Sequence, residues 1–356
     1  MSADAVDNVQ SRYDAVVIGG GAAGLSGALT LARARRSVLV VDSGQPRNAP
    51  AAHMHGYLSR DGEPPSRLLA AGREEVTGYG GEIVTDEVVA VERLGASTVN
   101  GPVNGPVNGP VNGQKVKGAV GEGGGFRVAL GGGSTVVARR LLVATGLVDE
   151  LPDVPGLTER WGRDVLHCPY CHGWEVRDRP IAVLATGPLA VHQALLWRQW
   201  SGDVTLVLHS GAELDPGERE QLAARDIPVW EGPVTGLEAT GDRLGGVRLA
   251  GGRVVSCEVL VVAPLYTARA GVLAGLGLET TPLEMGGRVI ATQIAAGPSG
   301  ETGVPGVWVA GNVANATEQV IGSAAAGVRA AAAINADLVA EDTRLAVAAR
   351  KEPAAS

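Results

Sequence analysis

The chain has 356 residues, of which 45% are hydrophobic and 19% are charged, so it is long enough for about two domains that each bury a core. Its formal net charge of −8 argues against nucleic acid as the main partner, because phosphate binding needs a basic face. No apolar run reaches the roughly 20 residues that span a bilayer, and the polar, acidic N-terminus is unlike a secretory signal. We therefore expect a cytoplasmic protein with no membrane partner.

The first element is a βαβ pattern that runs from residue 13 to residue 42. An apolar run meets a glycine cluster, and an Ala- and Leu-rich helical stretch then leads to a second apolar run that ends on Asp42. Three glycines have the spacing GxGxxG: Gly19, Gly21 and Gly24. In such a turn the first glycine makes the tight bend, the second lets the backbone approach a pyrophosphate, and the third lets the helix pack on the strand. The pattern predicts a dinucleotide site in which the helix N-terminus faces the phosphates and Asp42 accepts a hydrogen bond from a ribose hydroxyl.

Two features follow this unit. Residues 51–80 predict a loop and then a helix, and the loop contains His53 and His55. Residues 100–113 repeat the tetrapeptide NGPV three times and begin a fourth copy. Because this repeat is rich in turn-forming residues and has no amphipathic face, we expect a flexible insertion between two strands.

A second α/β pattern runs from about residue 180 to residue 285, and the chain closes with a strand, a turn and a long Ala-rich helix. Before the second pattern lies LHCPYCHGWEV, which holds Cys168, Cys171 and His172. A c-type haem would need an export route, and zinc would need about four ligands where only Cys257 and scattered histidines remain. A thiol–disulfide pair is therefore favoured, and Cys257, inside a strand pattern, is expected to be a small buried hydrophobe.

Two further segments carry a family resemblance. LLVATG, residues 141–146, and GVWVAGNV, residues 306–313, resemble the second and third fingerprints of two-dinucleotide flavoproteins. With the CxxC between them, the chain resembles the thioredoxin reductase family over residues 12–340. The resemblance implies an α/β fold with two Rossmann-like domains, and a homodimer, as is typical of the family.

The resemblance also divides the chain. It implies an FAD-binding domain made of residues 12–155 and 287–345, with residues 156–286 inserted as a CxxC-bearing, degenerate NAD(P)-type domain. The residues that it assigns to FAD are Gly19, Gly21, Ala22, Ala23, Gly24, Asp42, Asn48, Ala144, Thr145, Gly146, Gly311, Asn312, Gln319 and Val320. The family usually has Asp where this chain has Asn312, and Asn keeps the hydrogen-bonding shape without the charge.

The inserted domain departs from the family at its own nucleotide turn. The expected spaced glycines are replaced by TGPLA, residues 186–190, in which Pro188 has no N–H to give a pyrophosphate. After the next strand, where the family has a basic cluster for the NADPH 2′-phosphate, His209 is the one candidate cation. We therefore expect this domain to serve as a scaffold that does not bind nicotinamide.

The residues after the second cysteine narrow the resemblance. CxxC-His-Gly is similar to the FAD-dependent dithiol oxidases that close disulfides in natural products of the gliotoxin, holomycin and romidepsin kind. This similarity implies that a small-molecule dithiol attacks Cys168, the outer sulfur, while Cys171, the inner sulfur, passes the electrons to FAD and O2 takes them from there. His172 is the candidate base, since a neutral imidazole can take a proton from a thiol.

Other assignments stay open at the level of the sequence. His53, His55 and His167 are weaker candidates for assisting catalysis. An NADPH-dependent thioredoxin or low-molecular-weight disulfide reductase is the alternative enzyme, and a non-catalytic flavin-binding redox sensor is the alternative of another class. No metal is expected.

Overall fold

The structure is a computed structural model that describes residues 11–95, 124–209 and 213–351. The NGPV insertion predicted at residues 100–113 lies outside these ranges. Within them, no helix combines the length and the apolar character needed to cross a membrane.

The described elements comprise both strands and helices, in three parts along the chain. The first part of the chain forms β1 (Arg12–Ile18), α1 (Ala22–Arg33), β2 (Val38–Asp42), α2 (Pro65–Gly78), β3 (Glu82–Thr85), β4 (Val88–Arg93), β5 (Phe126–Leu130), β6 (Thr135–Val143) and β7 (Leu147–Glu150). The middle forms α3 (Leu157–Arg160), β8 (Val165–Leu166), α4 (Pro169–His172), β9 (Ile181–Ala185), α5 (Ala190–Trp197), β10 (Val204–Leu208), α6 (Pro216–Ala223), β11 (Val229–Glu231), β12 (Val234–Thr240), β13 (Arg243–Leu249), β14 (Val254–Ser256) and β15 (Val259–Val262). The last part forms β16 (Leu265–Ala268), a 3-10 helix (Gly271–Leu276), β17 (Thr280–Met285), β18 (Arg288–Ile294), β19 (Val307–Val309), a second 3-10 helix (Gly311–Val313) and α7 (Val320–Lys351).

The first sheet joins both ends of the chain. Its order is β3-β2-β1-β6-β5-β4, and β19 pairs in parallel with the carboxyl half of β6. Alternate residues of β1 enter two different hydrophobic clusters, Val16 and Ile18 on one face and Ala15 and Val17 on the other. A parallel strand buried on both faces is apolar throughout, which explains the unbroken apolar run that opens the sequence pattern.

The Ala-rich helix α7 covers one face of this sheet by packing on α1. A Cβ added at Gly327 would lie 2.0 Å from the Ala23 carbonyl oxygen, and one at Gly27 would lie 3.2 Å from the Gly327 carbonyl oxygen. The two helices therefore approach so closely that only small residues fit at their contact. This contact places the amino end of α7 beside the turn that follows β1.

A second sheet, with the order β11-β10-β9-β15-β8, is entirely parallel. Residues of α5 and α6 pack on one of its faces, and the antiparallel strands β12, β13 and β14 pack on the other. Cys257 is 1% exposed in the core under those antiparallel strands, so the expectation of a buried cysteine is confirmed.

A third sheet, β17-β18-β16-β7, connects the other two. Strand β7 follows the first sheet directly, whereas β16 follows the second sheet. The predicted domain boundary at residues 286 and 287 falls in the turn between β17 and β18, and the boundary at residues 155 and 156 falls just before α3. The division into an FAD domain and an inserted domain at these two points stays a prediction.

Candidate active site

A cavity of about 970 Å3 brings the predicted functional residues together. Every residue assigned to FAD, except Gly24, lines it, and so do both CxxC sulfurs and His172. His53, His55 and His167 line it as well. The cavity lies at the carboxyl ends of the parallel strands β1 and β6, the edge at which open α/β sheets bind their ligands.

The three glycines of the first turn meet the geometric demands stated for them. Gly19 has a φ of 106°, and a Cβ there would lie 2.5 Å from the Ala144 carbonyl oxygen. A Cβ at Gly24 would lie 1.9 Å from the Gly19 carbonyl oxygen, so Gly24 serves the packing of α1 behind the turn. A Cβ at Gly21 would meet no protein atom within 4 Å, so a ligand can approach the backbone at this point.

The start of α1 completes a cradle for a phosphate group. Gly21 is the N-cap residue, and it has no side chain that could accept a hydrogen bond from the first N–H groups of the helix. Ala22 and Ala23 follow it on the cavity wall. The first N–H groups of a helix have no intrahelical acceptor, and they carry the positive end of the helix dipole. The residues present therefore fit the pyrophosphate of a dinucleotide.

Asp42 lies at the end of β2 on the wall of the same cavity, where a ribose would be expected. Its Oδ2 accepts a hydrogen bond from Arg73 of α2. The Arg73 contact, which the sequence pattern did not indicate, holds the carboxylate in place. The role of Asp42 toward a ribose hydroxyl stays a prediction.

Asn312 makes a set of hydrogen bonds that depends on its amide. Its Nδ2 donates to the carbonyl oxygens of Asn315, Ala316 and Glu318 at 3.1, 3.4 and 2.9 Å, while its Oδ1 accepts from Nη1 of Arg47 at 3.2 Å. A carboxylate at this position would face three carbonyl oxygens with no donor. Asn312 is thus more than a shape-preserving substitute for Asp, because its N–H groups order the loop that leads to α7.

The thiol pair is carried by the single turn of α4. Cys168 is the N-cap residue, and the N–H groups of Cys171 and His172 both donate to its carbonyl oxygen at 3.2 Å. The glycine of the CxxC-His-Gly motif has a packing role, since a Cβ at Gly173 would lie 2.5 Å from the Pro169 carbonyl oxygen and 2.8 Å from the Trp200 ring. Close packing on Trp200 therefore fixes how the turn presents its sulfurs.

Both sulfurs are free thiols that share a hydrogen bond. The Cys171 thiol is the main cause that lowers the pKa of Cys168 to about 7, against the opposing effect of burial, and the backbone N–H groups of Tyr170 and Cys171 and the charge of Arg47 add to it. The same hydrogen bond raises the pKa of Cys171, and burial raises it further. The pair therefore loses one proton easily and the second only with difficulty, as expected for two interacting sites.

The histidines around the pair differ in their surroundings. Burial lowers the pKa of His172, and the carboxylate of Glu175 partly offsets this effect. His55 lies between two carboxylates, with Nδ1 at 3.5 Å from Asp61 and Nε2 at 3.4 Å from Glu175. His172 is thus a neutral imidazole at neutral pH, and Glu175 connects it electrostatically with His55.

His167 has a different setting from His172. Its ring stacks on Trp161 at 5.4 Å and meets the edge of Tyr266 at 6.2 Å. Burial and the charge of Arg47 lower the pKa of His167 to about 4, so it is a weak proton acceptor. Its contacts place it in the wall of the cavity.

No recognised motif assigns a role to four residues of this site, and the sequence analysis missed them: Arg47, Asp149, Glu175 and Tyr266. The only available signals were that Arg47 precedes Asn48 and that Asp149 and Glu175 follow recognised motifs closely. Tyr266 is far from every motif and reaches the site on β16.

Comparisons with known proteins find relatives over most of the chain. The family model described as pyridine nucleotide-disulphide oxidoreductase matches residues 13–331. Thioredoxin reductase sirT of Leptosphaeria maculans is 31% identical over 343 residues, which cover 91% of this chain and 94% of that protein.

Solved structures match over almost the whole chain. The crystal structure of HlmI is 48% identical with a TM-score of 0.82, and covers 96% of this chain and 97% of its own. An oxidoreductase from Agrobacterium tumefaciens is 31% identical with a TM-score of 0.78, and covers 92% of this chain and 99% of its own. The predicted α/β fold of the thioredoxin reductase type is therefore confirmed.

Proposed function

Because the chain belongs to the pyridine nucleotide-disulphide oxidoreductase family, a family of flavoproteins, we propose that it is an FAD-dependent dithiol oxidase. It would close a disulfide in a small-molecule dithiol and use O2 as the terminal acceptor. The observation that carries this proposal is the contrast between the two nucleotide turns. The first lies in the same cavity as the thiol pair, whereas the second contains Pro188, which has no N–H for a phosphate.

FAD fits the first turn for the geometric reasons given above. The turn at Gly21 and the start of α1 would hold the pyrophosphate, Asp42 would face a ribose, and Gln319 and Val320 at the start of α7 would lie toward the flavin. When bound, FAD would accept the electron pair of the reduced thiols and hand it to O2, which becomes hydrogen peroxide. The thiol exchange and the proton transfers are carried out by side chains of the protein.

The thiol exchange proceeds in two balanced steps. A substrate thiolate attacks the Cys168–Cys171 disulfide at Cys168, forming a mixed disulfide and releasing Cys171 as a thiolate. The second substrate thiolate then attacks the substrate sulfur of the mixed disulfide, so the product disulfide forms and Cys168 leaves. Two electrons pass from the substrate to the pair, and the two substrate thiols give up two protons.

His172 is the proposed acceptor of the first of these protons. Its imidazole is neutral because burial lowers its pKa, and it directly follows Cys171 on the cavity wall. Glu175 favours the imidazolium that forms, since its carboxylate raises the pKa of His172. The same carboxylate lies 3.4 Å from Nε2 of His55.

The second nucleotide turn supports an oxidase over an NADPH-dependent reductase. Pro188 has no N–H, and the N–H of Ala190 donates to the Gly187 carbonyl oxygen at 3.3 Å. Neither residue therefore offers a free backbone N–H to a phosphate. A Cβ added at Gly286 would lie 2.9 Å from Cβ of Pro188, so the β17–β18 turn also contacts it.

His209, the one candidate cation for a 2′-phosphate, has another partner. Its Nδ1 accepts the N–H of Val234 at 3.0 Å, which requires that this nitrogen carry no proton. Burial lowers the pKa of His209 and so favours the same neutral form. A neutral acceptor offers little attraction to a phosphate.

Two exposed aromatic side chains lie close to the thiol pair in the chain. Tyr170 and Trp174, on either side of the second cysteine, are 63% and 66% exposed. Exposed aromatic rings beside a reactive group offer apolar contact area to a ligand. We propose a small apolar dithiol as the substrate and, by resemblance to the family, a homodimer as the assembly.

Anaerobic reduction tests this proposal. FAD-loaded protein is mixed under argon with a dithiol or with NADPH, and the flavin absorbance near 450 nm is followed. The proposal expects bleaching by the dithiol, no bleaching by NADPH, and peroxide formation once air is admitted. Rapid bleaching by NADPH would instead support a disulfide reductase, and no bleaching by either reagent would support a redox sensor.

A further inference from the structure

Arg47 is a cation in the thiol site that the proposed reaction does not use. It lies in the loop after β2. Its guanidinium donates two hydrogen bonds to the Asp149 carboxylate, from Nε to Oδ2 at 2.8 Å and from Nη2 to Oδ1 at 2.6 Å. Its third nitrogen, Nη1, donates to Oδ1 of Asn312 at 3.2 Å. The Asp149 side chain is only 9% exposed, so this ion pair is largely withdrawn from water.

Ring contacts lead from Arg47 to His167, the residue before Cys168. The Arg47 guanidinium lies 5.4 Å from the centre of the Tyr266 ring, and the edge of that ring meets His167, the residue before Cys168. All of these side chains line the one cavity. Because three hydrogen bonds and an aromatic ring fix the guanidinium, its charge keeps a constant position relative to the sulfurs.

We infer that Arg47 is the fixed cation that stabilises the thiolate of the Cys168–Cys171 pair, and that Asp149 and Asn312 set how much of its charge the pair feels. The inference rests on the proposed thiol chemistry of the pair. The charge of Arg47 acts on both sulfurs, because it lowers the pKa of Cys168 and also that of Cys171. It lowers the pKa of His167 and Tyr266 too, whereas Asp149 raises both of these values.

The neutral amide of Asn312 matters to this balance. Arg47 carries one positive charge, Asp149 one negative charge and Asn312 none, so the three side chains together are neutral. An Asp in place of Asn312 would add a second negative charge against the guanidinium and leave a net negative cluster beside a developing thiolate. The amide therefore lets Arg47 be fixed on two sides while only one carboxylate opposes its charge.

The other titratable groups that face the pair are known. Tyr266 comes from β16, His167 and His172 flank the cysteines, and Glu175 and His55 face His172. Tyr266 stays neutral at physiological pH because burial raises its pKa to about 12. Arg47 is thus the fixed full positive charge among these groups, and Asp149 its direct counter-ion.

The test uses opposite charge changes on the two sides of one ion pair. FAD-loaded protein is reduced with a phosphine under argon, and the rate of iodoacetamide alkylation at Cys168 and Cys171 is measured by peptide mass spectrometry from pH 5 to pH 10. Arg47→Gln is expected to move the midpoint of the alkylation profile up by about one pH unit. Asp149→Asn is expected to move it down, and Asn312→Asp to move it up by a smaller amount.

The sign of the shifts separates an electrostatic role from a structural one. Loss of packing alone would move Arg47→Gln and Asp149→Asn in the same direction, and that result, or no shift in either, would overturn the inference. Arg47→Lys keeps the positive charge but loses the paired N–H groups of the guanidinium. Its alkylation midpoint should lie below that of Arg47→Gln. It serves as the second measurement if Arg47→Gln does not fold.

The matched control is Arg163→Gln, which breaks the exposed ion pair with Asp242 and should leave the midpoint unchanged. Alkylation requires no turnover. Absence of dithiol-dependent O2 uptake would therefore count against the proposed function alone, whereas shifts of the wrong sign would count against the role of Arg47 alone.

Discussion

Two strand-to-helix turns, residues 19–24 after β1 and residues 186–190 after β9, occupy equivalent places in their α/β units. In the first, a glycine at the helix N-cap faces open space, and the helix that follows has 12 residues. In the second, a proline contacts a neighbouring hairpin turn, and the helix has 8 residues. The same supersecondary unit thus leaves the helix N-cap open in one case and places a proline against a neighbouring turn in the other.

The difference agrees with the proposal that the thiol pair, and not a second nucleotide, is the electron partner of the first site. The pair is carried by the segment that connects the two units, and it opens onto the cavity of the first turn. An electron path from substrate thiols to FAD needs only this cavity. A path from NADPH would need the second turn as well.

Filling the first turn tests the cofactor site, on which every later step of the proposed reaction depends. Gly21→Val should fold normally, because a Cβ there meets no protein atom within 4 Å, but should weaken FAD affinity by about 100-fold, which is about 2.8 kcal/mol. Flavin fluorescence titration of the apoprotein measures this. The matched control is Gly187→Val in the second turn, where a Cβ is equally unhindered. An equal loss of FAD affinity in both variants would show that the two turns do not differ in their role toward FAD.

Removal of one sulfur tests whether the pair is the relay. Cys171→Ser should lower dithiol-dependent O2 uptake by on the order of 1,000-fold while FAD stays bound, because the remaining sulfur cannot form the internal disulfide. Cys257→Ala is the control, since Cys257 is buried in a different core. Unchanged O2 uptake by Cys171→Ser would show that substrate electrons reach FAD without the pair.

The pH dependence tests the base. The pKa of His172 lies below its usual range because of burial, so kcat/KM should hold at neutral pH and fall only as the pH drops well below about 6.5, when the imidazole gains a proton. His172→Gln should lower kcat/KM at pH 7 by about 100-fold and remove this acidic limb. The exposed His192 provides the control, and His192→Gln should keep both the rate and the limb. An acidic limb that persists in His172→Gln would assign it to another group.

The smallest expected effect concerns the second turn. Pro188→Gly restores one N–H, but the contact with the β17–β18 turn and the acceptor role of His209 remain. We expect no bleaching of the flavin by NADPH in this variant under argon, and dithiol oxidation within about twofold of the unchanged protein. Rapid reduction of the flavin by NADPH would mean that Pro188 alone prevents the second turn from binding the nucleotide.

Local patterns could be read directly from the sequence. The glycines at 19, 21 and 24, the apolar strands around them and the spacing of Cys168 and Cys171 are short-range features, because each depends on backbone geometry within a few residues. The structure places Gly19, Gly21, Cys168 and Cys171 on the wall of one cavity, whereas Gly24 packs behind the first turn. Cys257 is buried as expected, although it lies between β14 and β15 and not inside the strand that the pattern indicated.

Tertiary structure alone decided the electrostatics of the site. Arg47, Asp149 and Tyr266 meet across separations of up to about 220 residues in the chain, and no periodicity or spacing connects them. The same holds for Glu175 beside His55, and for Gly286 against Pro188. The sequence determined where the backbone turns and which atoms can react, since these depend on neighbours along the chain. The charges that act on the sulfurs depend on distance through space, so only the folded arrangement could decide them.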